Sequence, residues 1–198
     1  MEVFLESFYS VSWVQWLASF LAVIYILLAY KNSSACFLFG LLSALLWAYE
    51  SYINLDLKFD AALQIFYALM SIYGLYIWKY GGENKSEKPI SFLGLKGNLM
   101  WIISGLIITL IVYYWAIYYV ESSRTFLDIF TTVYSLIATI LLVHRYMENW
   151  ILFVIVDLLY VYIYYLQGGY VFALMMIIYI FMSFASWFNW KRIYLETI

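Results

Sequence analysis

The chain has 198 residues, of which 67% are hydrophobic and 11% are charged, and its formal net charge is −2. A soluble domain carries about 45–50% apolar and about 25% charged residues, so this composition excludes a soluble globular protein. The negative charge gives no basis for nucleic-acid binding, and one cysteine with one histidine leaves too few ligands for a disulfide, a zinc site or an iron–sulfur cluster.

Seven apolar stretches are long enough to cross a bilayer as helices, each of which needs about 20 residues with few charges. They cover residues 12–30, 35–53, 60–80, 98–120, 125–143, 149–166 and 170–190. Most links between them are short and polar, but the segment after residue 80 is longer and holds Pro89. The sequence therefore predicts an all-α membrane protein with seven transmembrane helices.

The basic residues are distributed unevenly between the links, and cytoplasmic links carry an excess of Lys and Arg. If the N-terminus lies outside, only Lys58 and Arg124 of the ten basic residues are external. The other eight are then cytoplasmic: Lys31, Lys79, Lys85, Lys88, Lys96, Arg145, Lys191 and Arg192. The distribution predicts an external N-terminus and a cytoplasmic C-terminus.

The third and seventh spans resemble each other at an offset of 112 residues, which relates Tyr67 to Tyr179. Tyr-Ala-Leu-Met-Ser at 67–71 matches Tyr-Ile-Phe-Met-Ser at 179–183, and both spans end in Trp-Lys. The match predicts two three-helix bundles in the same orientation, within 1–80 and 122–198, joined by a cytoplasmic linker and a fourth helix within 81–121. Such a 3+1+3, SWEET-like repeat is typical of transporters that hold substrate between the halves.

Asp157 lies near the middle of the sixth span, on the helix face that also carries Trp150, Phe153, Tyr160 and Tyr164. A carboxylate at this depth costs about 2.5–3.5 kcal/mol on insertion scales, and no Lys or Arg lies inside a span to neutralise it. We therefore expect Asp157 to face a cavity. A cationic ligand would supply the missing charge there, and the neighbouring rings would add cation–π attraction.

Polar stripes on the second, third, fifth and seventh spans can converge on the same cavity. Stripes of Ser, Thr and Gly are more often helix-packing surfaces, and Asp60 and Asp128 can simply cap the helices that they begin. The sequence has no phosphate-binding Gly-x-x-x-x-Gly-Lys-Ser/Thr loop, and no catalytic triad can form around His144 in a link. These features predict that the chain is not an enzyme.

Two segments resemble the PnuC-type vitamin transporters. One is His-Arg-Tyr-Met-Glu-Asn-Trp at 144–150, followed by Phe153 and Asp157, and the other is Ala-Ala-Leu-Gln-Ile-Phe-Tyr at 61–67, which runs into 72–78. The resemblance implies a homotrimer in the bacterial inner membrane that needs no cofactor. It also implies facilitated diffusion of an unphosphorylated vitamin, which a cytoplasmic kinase then traps.

Nicotinamide riboside carriers of that family have Trp-x-x-Trp-x-x-x-Asn in the sixth span, where this chain has Trp150, Phe153 and Asp157. The chain is therefore more similar to the thiamine branch, PnuT, and we expect a thiamine uniporter that works by alternating access. Nicotinamide riboside, which is also a cation, and a seven-helix receptor without transport remain alternatives. The residues expected to contact the vitamin are Trp47, Glu50, Gln64, Tyr67, Tyr134, Phe153, Asp157 and Tyr179.

Overall fold

The computed structural model describes residues 9, 11–54, 56–119 and 126–197. Within these residues, seven helices are long and apolar enough to cross a membrane, and no strand extends beyond an isolated bridge. The predicted all-α fold with seven spans is confirmed. The helices are α1 (Trp13–Tyr30), α2 (Cys36–Tyr49), α3 (Lys58–Tyr80), α4 (Gly94–Tyr119), α5 (Phe126–Val143), α6 (Asn149–Leu166) and α7 (Tyr170–Thr197).

Most helix ends lie within two residues of the predicted bounds, and three features differ more. The second span continues past α2 through a π-helical turn, Glu50–Asn54. α4 begins at Gly94 instead of residue 98, and α7 continues to Thr197 instead of residue 190. The predicted spans stop where charged residues begin, but a helix can extend into the aqueous layer, where Lys96 and Lys191 are solvated.

The bundle α1–α3 and the bundle α5–α7 repeat the same backbone structure. α1 and α5 both have 18 residues, and an offset of 113 relates their first residues, Trp13 and Phe126. The turns that follow them are also equivalent. The N–H of Asn32 donates to the Ala29 carbonyl and that of Arg145 to the Leu142 carbonyl, both at 2.9 Å, and both residues have positive φ, 54° and 56°.

The two bundles meet where α1 packs on α7 and where α3 packs on α5, and these two contacts are equivalent under the repeat. α4 packs mainly on α5. Most of its apolar side chains, such as Leu99, Ile103 and Ile107, are exposed on the outer side of the protein. α4 is therefore a linking span at the periphery of the chain, in agreement with the 3+1+3 arrangement.

Two hydrogen bonds cross reciprocally between the bundles at the C-terminal ends of α3 and α7. Trp78 Nε1 donates to the Leu142 carbonyl of α5 at 3.2 Å, and Trp190 Nε1 donates to the Ala29 carbonyl of α1 at 2.9 Å. The two indole rings contact each other with a centroid distance of 5.5 Å. Each bundle therefore supplies one tryptophan that hydrogen-bonds the backbone of the other bundle.

Phe37 and Trp150 complete this contact. Phe37 packs edge-on against Trp78 with a centroid distance of 4.9 Å, and Trp150 packs edge-on against Trp190 at 5.2 Å. We call these four residues the tryptophan cluster. None is more than 2% exposed, so the cluster seals one end of the bundle.

The linker between α3 and α4 is fastened across the sealed end. Ser91 exchanges backbone hydrogen bonds with the turn after α5, donating to the Arg145 carbonyl and accepting from Met147, both at 3.0 Å. The Arg145 guanidinium donates to the Lys88 carbonyl and lies 4.3 Å from the Trp78 ring centroid. The segment 144–150 thus anchors the linker to the second bundle.

Replacing Trp78 or Trp190 by Phe should lower the free energy of unfolding by about 1–3 kcal/mol each, because a buried hydrogen bond and part of the ring packing are lost. Thermal unfolding in detergent measures the effect. Trp13→Phe is the matched control, since Trp13 is 74% exposed, and it should stay within about 0.5 kcal/mol of wild type. Equal melting temperatures for all three variants would contradict the structural role of the cluster.

Candidate functional site

A cavity of about 1410 Å³ lies between the two bundles. It extends from the tryptophan cluster to the opposite end, where it meets Asp60 in the first turn of α3 and Asp128 in the first turn of α5. Every helix except α4 contributes described residues to its lining. The two repeated bundles therefore form the cavity together. It is closed at the tryptophan cluster and extends to the opposite end.

The charged side chains among the described lining residues are all acidic. They are Asp60, Asp128 and Asp157, and the same lining contains no Lys, Arg or His. A cleft whose charges have one sign concentrates ligands of the opposite sign, because the apolar walls focus the field. The cavity therefore favours a cationic ligand.

Asp157 lies in the middle of α6 and is 8% exposed. Neither a hydrogen bond nor an ion pair to its carboxylate is found in the part of the chain that the structure describes. The phenols within range of its charge are Tyr67, Tyr164 and Tyr179. A buried carboxylate without a cationic partner is costly in a membrane, so occupation of the cavity by a cation would stabilise it.

Aromatic rings form a chain across the cavity at a distance from the tryptophan cluster. Tyr160 and Tyr164 stack with a centroid distance of 5.8 Å and an interplanar angle of 20°. Phe172 lies 5.7 Å from Tyr164 and 6.0 Å from Trp47, which belongs to the other bundle. The faces and edges of these rings suit a flat, positively charged ligand.

The structure brings six of the eight predicted site residues to the cavity wall. They come from α2, α3, α6 and α7 and are Trp47, Gln64, Tyr67, Phe153, Asp157 and Tyr179. Their contact with a ligand stays a prediction.

Glu50 and Tyr134 are placed elsewhere, and neither belongs to the described lining. The Glu50 carboxylate accepts from the Ser12 hydroxyl at 2.7 Å and from the Asn54 amide at 2.6 Å, so it ties the start of α1 to the end of the second span. The Tyr134 hydroxyl donates to the Ile102 carbonyl of α4 at 2.7 Å. Both residues stabilise contacts between helices.

Several lining residues were not among those predicted to contact the ligand. Trp150, Tyr160 and Tyr164 share the helix face of Asp157, so the spacing already indicated them. Phe172 lies seven residues before Tyr179 on α7 and shares its face in the same way. The helical periodicity of α6 and α7 therefore indicated the lining residues better than residue type did.

Asp157→Asn should leave the melting temperature of the ligand-free protein unchanged or raise it, because a costly buried charge without a partner is removed. Glu50→Gln is the matched control. Its carboxylate accepts two hydrogen bonds, so the amide should lower the free energy of unfolding by about 1–3 kcal/mol. Thermal unfolding of both variants makes the comparison. If Asp157→Asn destabilises as much as the control, Asp157 has a structural role.

Residues 12–192 of the chain match the family model described as nicotinamide mononucleotide transporter. The nicotinamide riboside transporter PnuC of Escherichia coli (strain K12) is 26% identical, over 93% of this chain and 88% of its own length. That of Haemophilus influenzae is 24% identical, over 94% and 82%. A crystal structure of the vitamin B3 transporter PnuC has the same fold, with a TM-score of 0.77 at 24% identity, covering 93% of this chain and 83% of that one.

The prediction that the substrate is thiamine is contradicted by these relatives, which are named as nicotinamide riboside transporters. They support the predicted alternative, nicotinamide riboside. The error has a physical cause. Both vitamins carry a positive charge on a flat ring, so Phe153 and Asp157 suit either one and do not discriminate between them.

Proposed function

Since the chain belongs to the nicotinamide mononucleotide transporter family, we propose that it carries nicotinamide riboside across the membrane by alternating access. Membership confirms the PnuC-type resemblance, and the family is one of transporters, not of enzymes. The names of the relatives support nicotinamide riboside as the substrate, and the structural observation that supports a cationic vitamin is Asp157, a buried carboxylate that lines an acidic cavity between two repeated bundles. The pyridinium of nicotinamide riboside supplies the positive charge that this carboxylate lacks.

The charge of the cavity favours the riboside over the mononucleotide in the family description. A phosphate adds about −1.5 to −2 charges at neutral pH, and proteins bind it with Arg, Lys or helix N-termini. The described lining has three aspartates and no basic side chain. The two helix N-termini at its open end already carry Asp60 and Asp128, so a phosphate would be repelled along the whole path.

Within this proposal the lining residues have distinct roles. Asp157 pairs with the pyridinium charge, and Tyr67, Phe153 and Tyr179 offer ring faces from three different helices. Trp47 packs on Phe172 nearer the open end, so the two rings narrow the path by which a ligand enters the cavity. Gln64 supplies an amide that hydrogen-bonds the sugar.

Transport would proceed by rocking of the two bundles about this site. In this structure the tryptophan cluster closes one end. Opening that end requires the Trp78 and Trp190 hydrogen bonds to break together, because each joins one bundle to the other. The chain of rings from Trp47 to Tyr160 would close the opposite end in exchange.

The positions of the basic residues support an external N-terminus. Lys31, Lys79, Arg145 and Lys191 all lie at the helix ends around the tryptophan cluster, whereas Lys58 lies at the other end. Arg124, the second predicted external residue, lies outside the described residues. The positive-inside rule then makes the cluster end cytoplasmic, and the cavity in this structure extends toward the outside.

The inner-membrane location, the homotrimer and the cytoplasmic kinase that the resemblance implied belong to the same proposal. The kinase needs no contact with the carrier, because it acts on the released riboside. A trimer needs an apolar surface on each copy, and the exposed side of α4 supplies one.

Asp157→Asn should weaken nicotinamide riboside binding by about 10–100-fold, equivalent to about 1.4–2.8 kcal/mol, because a charge-assisted contact becomes a neutral one. Isothermal titration of the purified protein measures this. Glu50→Gln should bind like wild type, and nicotinamide mononucleotide should not bind to either protein. Thiamine bound more tightly than nicotinamide riboside, or unchanged affinity in Asp157→Asn, would contradict the proposal.

Liposomes containing the protein, a riboside kinase and ATP should accumulate labelled nicotinamide riboside as its phosphate. Without ATP, the label should only equilibrate across the membrane, because a uniporter has no other driving force. Retention of label at the outer surface, with none in the lumen under either condition, would establish the receptor alternative.

A further inference from the structure

Ser183 is a buried polar residue beside the cavity that the proposed mechanism does not use. It lies on α7, is 1% exposed and belongs to the cavity lining. Its Oγ has no hydrogen-bond partner among the described residues. Buried hydroxyls are nearly always paired, because an unpaired one keeps its desolvation cost without compensation. In this state the Ser183 hydroxyl is free to form a hydrogen bond with a ligand in the cavity.

Two comparable serines each donate to the backbone carbonyl four residues earlier, a bond that Ser183 could also make. Ser71, its counterpart at the offset of 112, donates to the Tyr67 carbonyl at 2.9 Å. Ser186, on the same helix, donates to the Met182 carbonyl at 2.7 Å. Ser183 does not make the corresponding bond to the carbonyl four residues earlier. Its hydroxyl therefore remains available for an acceptor outside the helix.

Ser183 lies at the depth of Asp157. It precedes Trp190 by seven residues, Asp157 follows Trp150 by seven, and the two tryptophan rings contact each other. At about 1.5 Å of rise per residue, both side chains stand about 10 Å from the tryptophan cluster, on the neighbouring helices α6 and α7. A ligand whose charge pairs with Asp157 thus brings the substituents of its ring to Ser183.

The walls change in chemistry along the cavity. Aromatic rings line both ends, and near the tryptophan cluster Trp150 Nε1 is a second buried donor without a partner among the described residues. Toward the open end the walls carry Gln64, Thr132 and Gln167, which can serve several hydroxyls. Because Asp157 sets the depth of the charged ring and these amide and hydroxyl groups lie farther from the tryptophan cluster, the ribose belongs on the side of the open end.

We propose that the Ser183 hydroxyl hydrogen-bonds the carboxamide on the ring of the bound riboside, an assignment that rests on the proposed function. The carboxamide oxygen is the acceptor that a ring-first orientation brings to this depth. Ser183 would then distinguish a ring that carries a carboxamide from one that lacks it, whereas Asp157 would recognise only the charge.

Titration of Ser183→Ala with nicotinamide riboside tests this assignment. Affinity should fall by about tenfold, which corresponds to about 1.4 kcal/mol. A pyridinium riboside without the carboxamide should bind wild type and Ser183→Ala equally. Ser186→Ala is the matched control, because Ser186 lies on the same helix, is paired and does not belong to the described lining. It should keep wild-type affinity.

The melting temperature separates a binding role from a structural one. Ser183→Ala should be as stable as wild type or more stable, since it removes an unpaired buried hydroxyl. Reduced stability, affinity within twofold of wild type, or an equal loss for the ring without a carboxamide would each overturn the assignment. If wild-type protein does not bind nicotinamide riboside at all, the proposed function fails first, and the two failures are thereby distinguished.

Discussion

The reciprocal pair of tryptophan hydrogen bonds between the bundles determines what the rest of the structure can do. With the bonds from Trp78 and Trp190 in place, the space between the bundles is a cavity with one sealed end. The two bonds are equivalent under the repeat and both cross between the bundles, so tilting one bundle against the other at this end would strain both of them.

The frame of the protein is symmetric, whereas its binding surface is not. The turns after α1 and α5 have equivalent hydrogen bonds, and the two crossing tryptophans are equivalent. Along α2 and α6, however, the equivalent positions differ in chemistry: Gly40 and Ala44 correspond to Phe153 and Asp157 at the offset of 113. The crossing contacts are thus shared by both bundles, whereas the ring of Phe153 and the carboxylate of Asp157 have no equivalent in the first bundle.

The sequence predicted the spans and the repeat well because both depend on hydrophobicity and periodicity, which are local properties. It placed Asp157 on a cavity because charge inside a membrane has few alternatives. It did not indicate that Glu50 and Tyr134 lie away from the described cavity lining, since their residue types fit a ligand site but their direction depends on the π-helical turn and on the position of α4. It also failed for the vitamin, because a carboxylate beside aromatic rings accepts any flat cation. The segment 144–150 indicated the family, yet its visible role in the structure is to anchor the linker.

The acidity of the cavity links recognition to trapping. In the proposed mechanism, a carboxylate that attracts the riboside would repel the same molecule once a phosphate had been added, so one electrostatic feature would admit the substrate and reject the product. Under that mechanism the carrier would need no ion gradient for net uptake, because phosphorylation on one side would keep the concentration of transportable riboside low there. A basic residue in the lining would weaken both effects at once. The lack of Lys, Arg and His in the described lining would therefore help to keep the phosphorylated product from leaving, as Asp157 would help to admit the riboside.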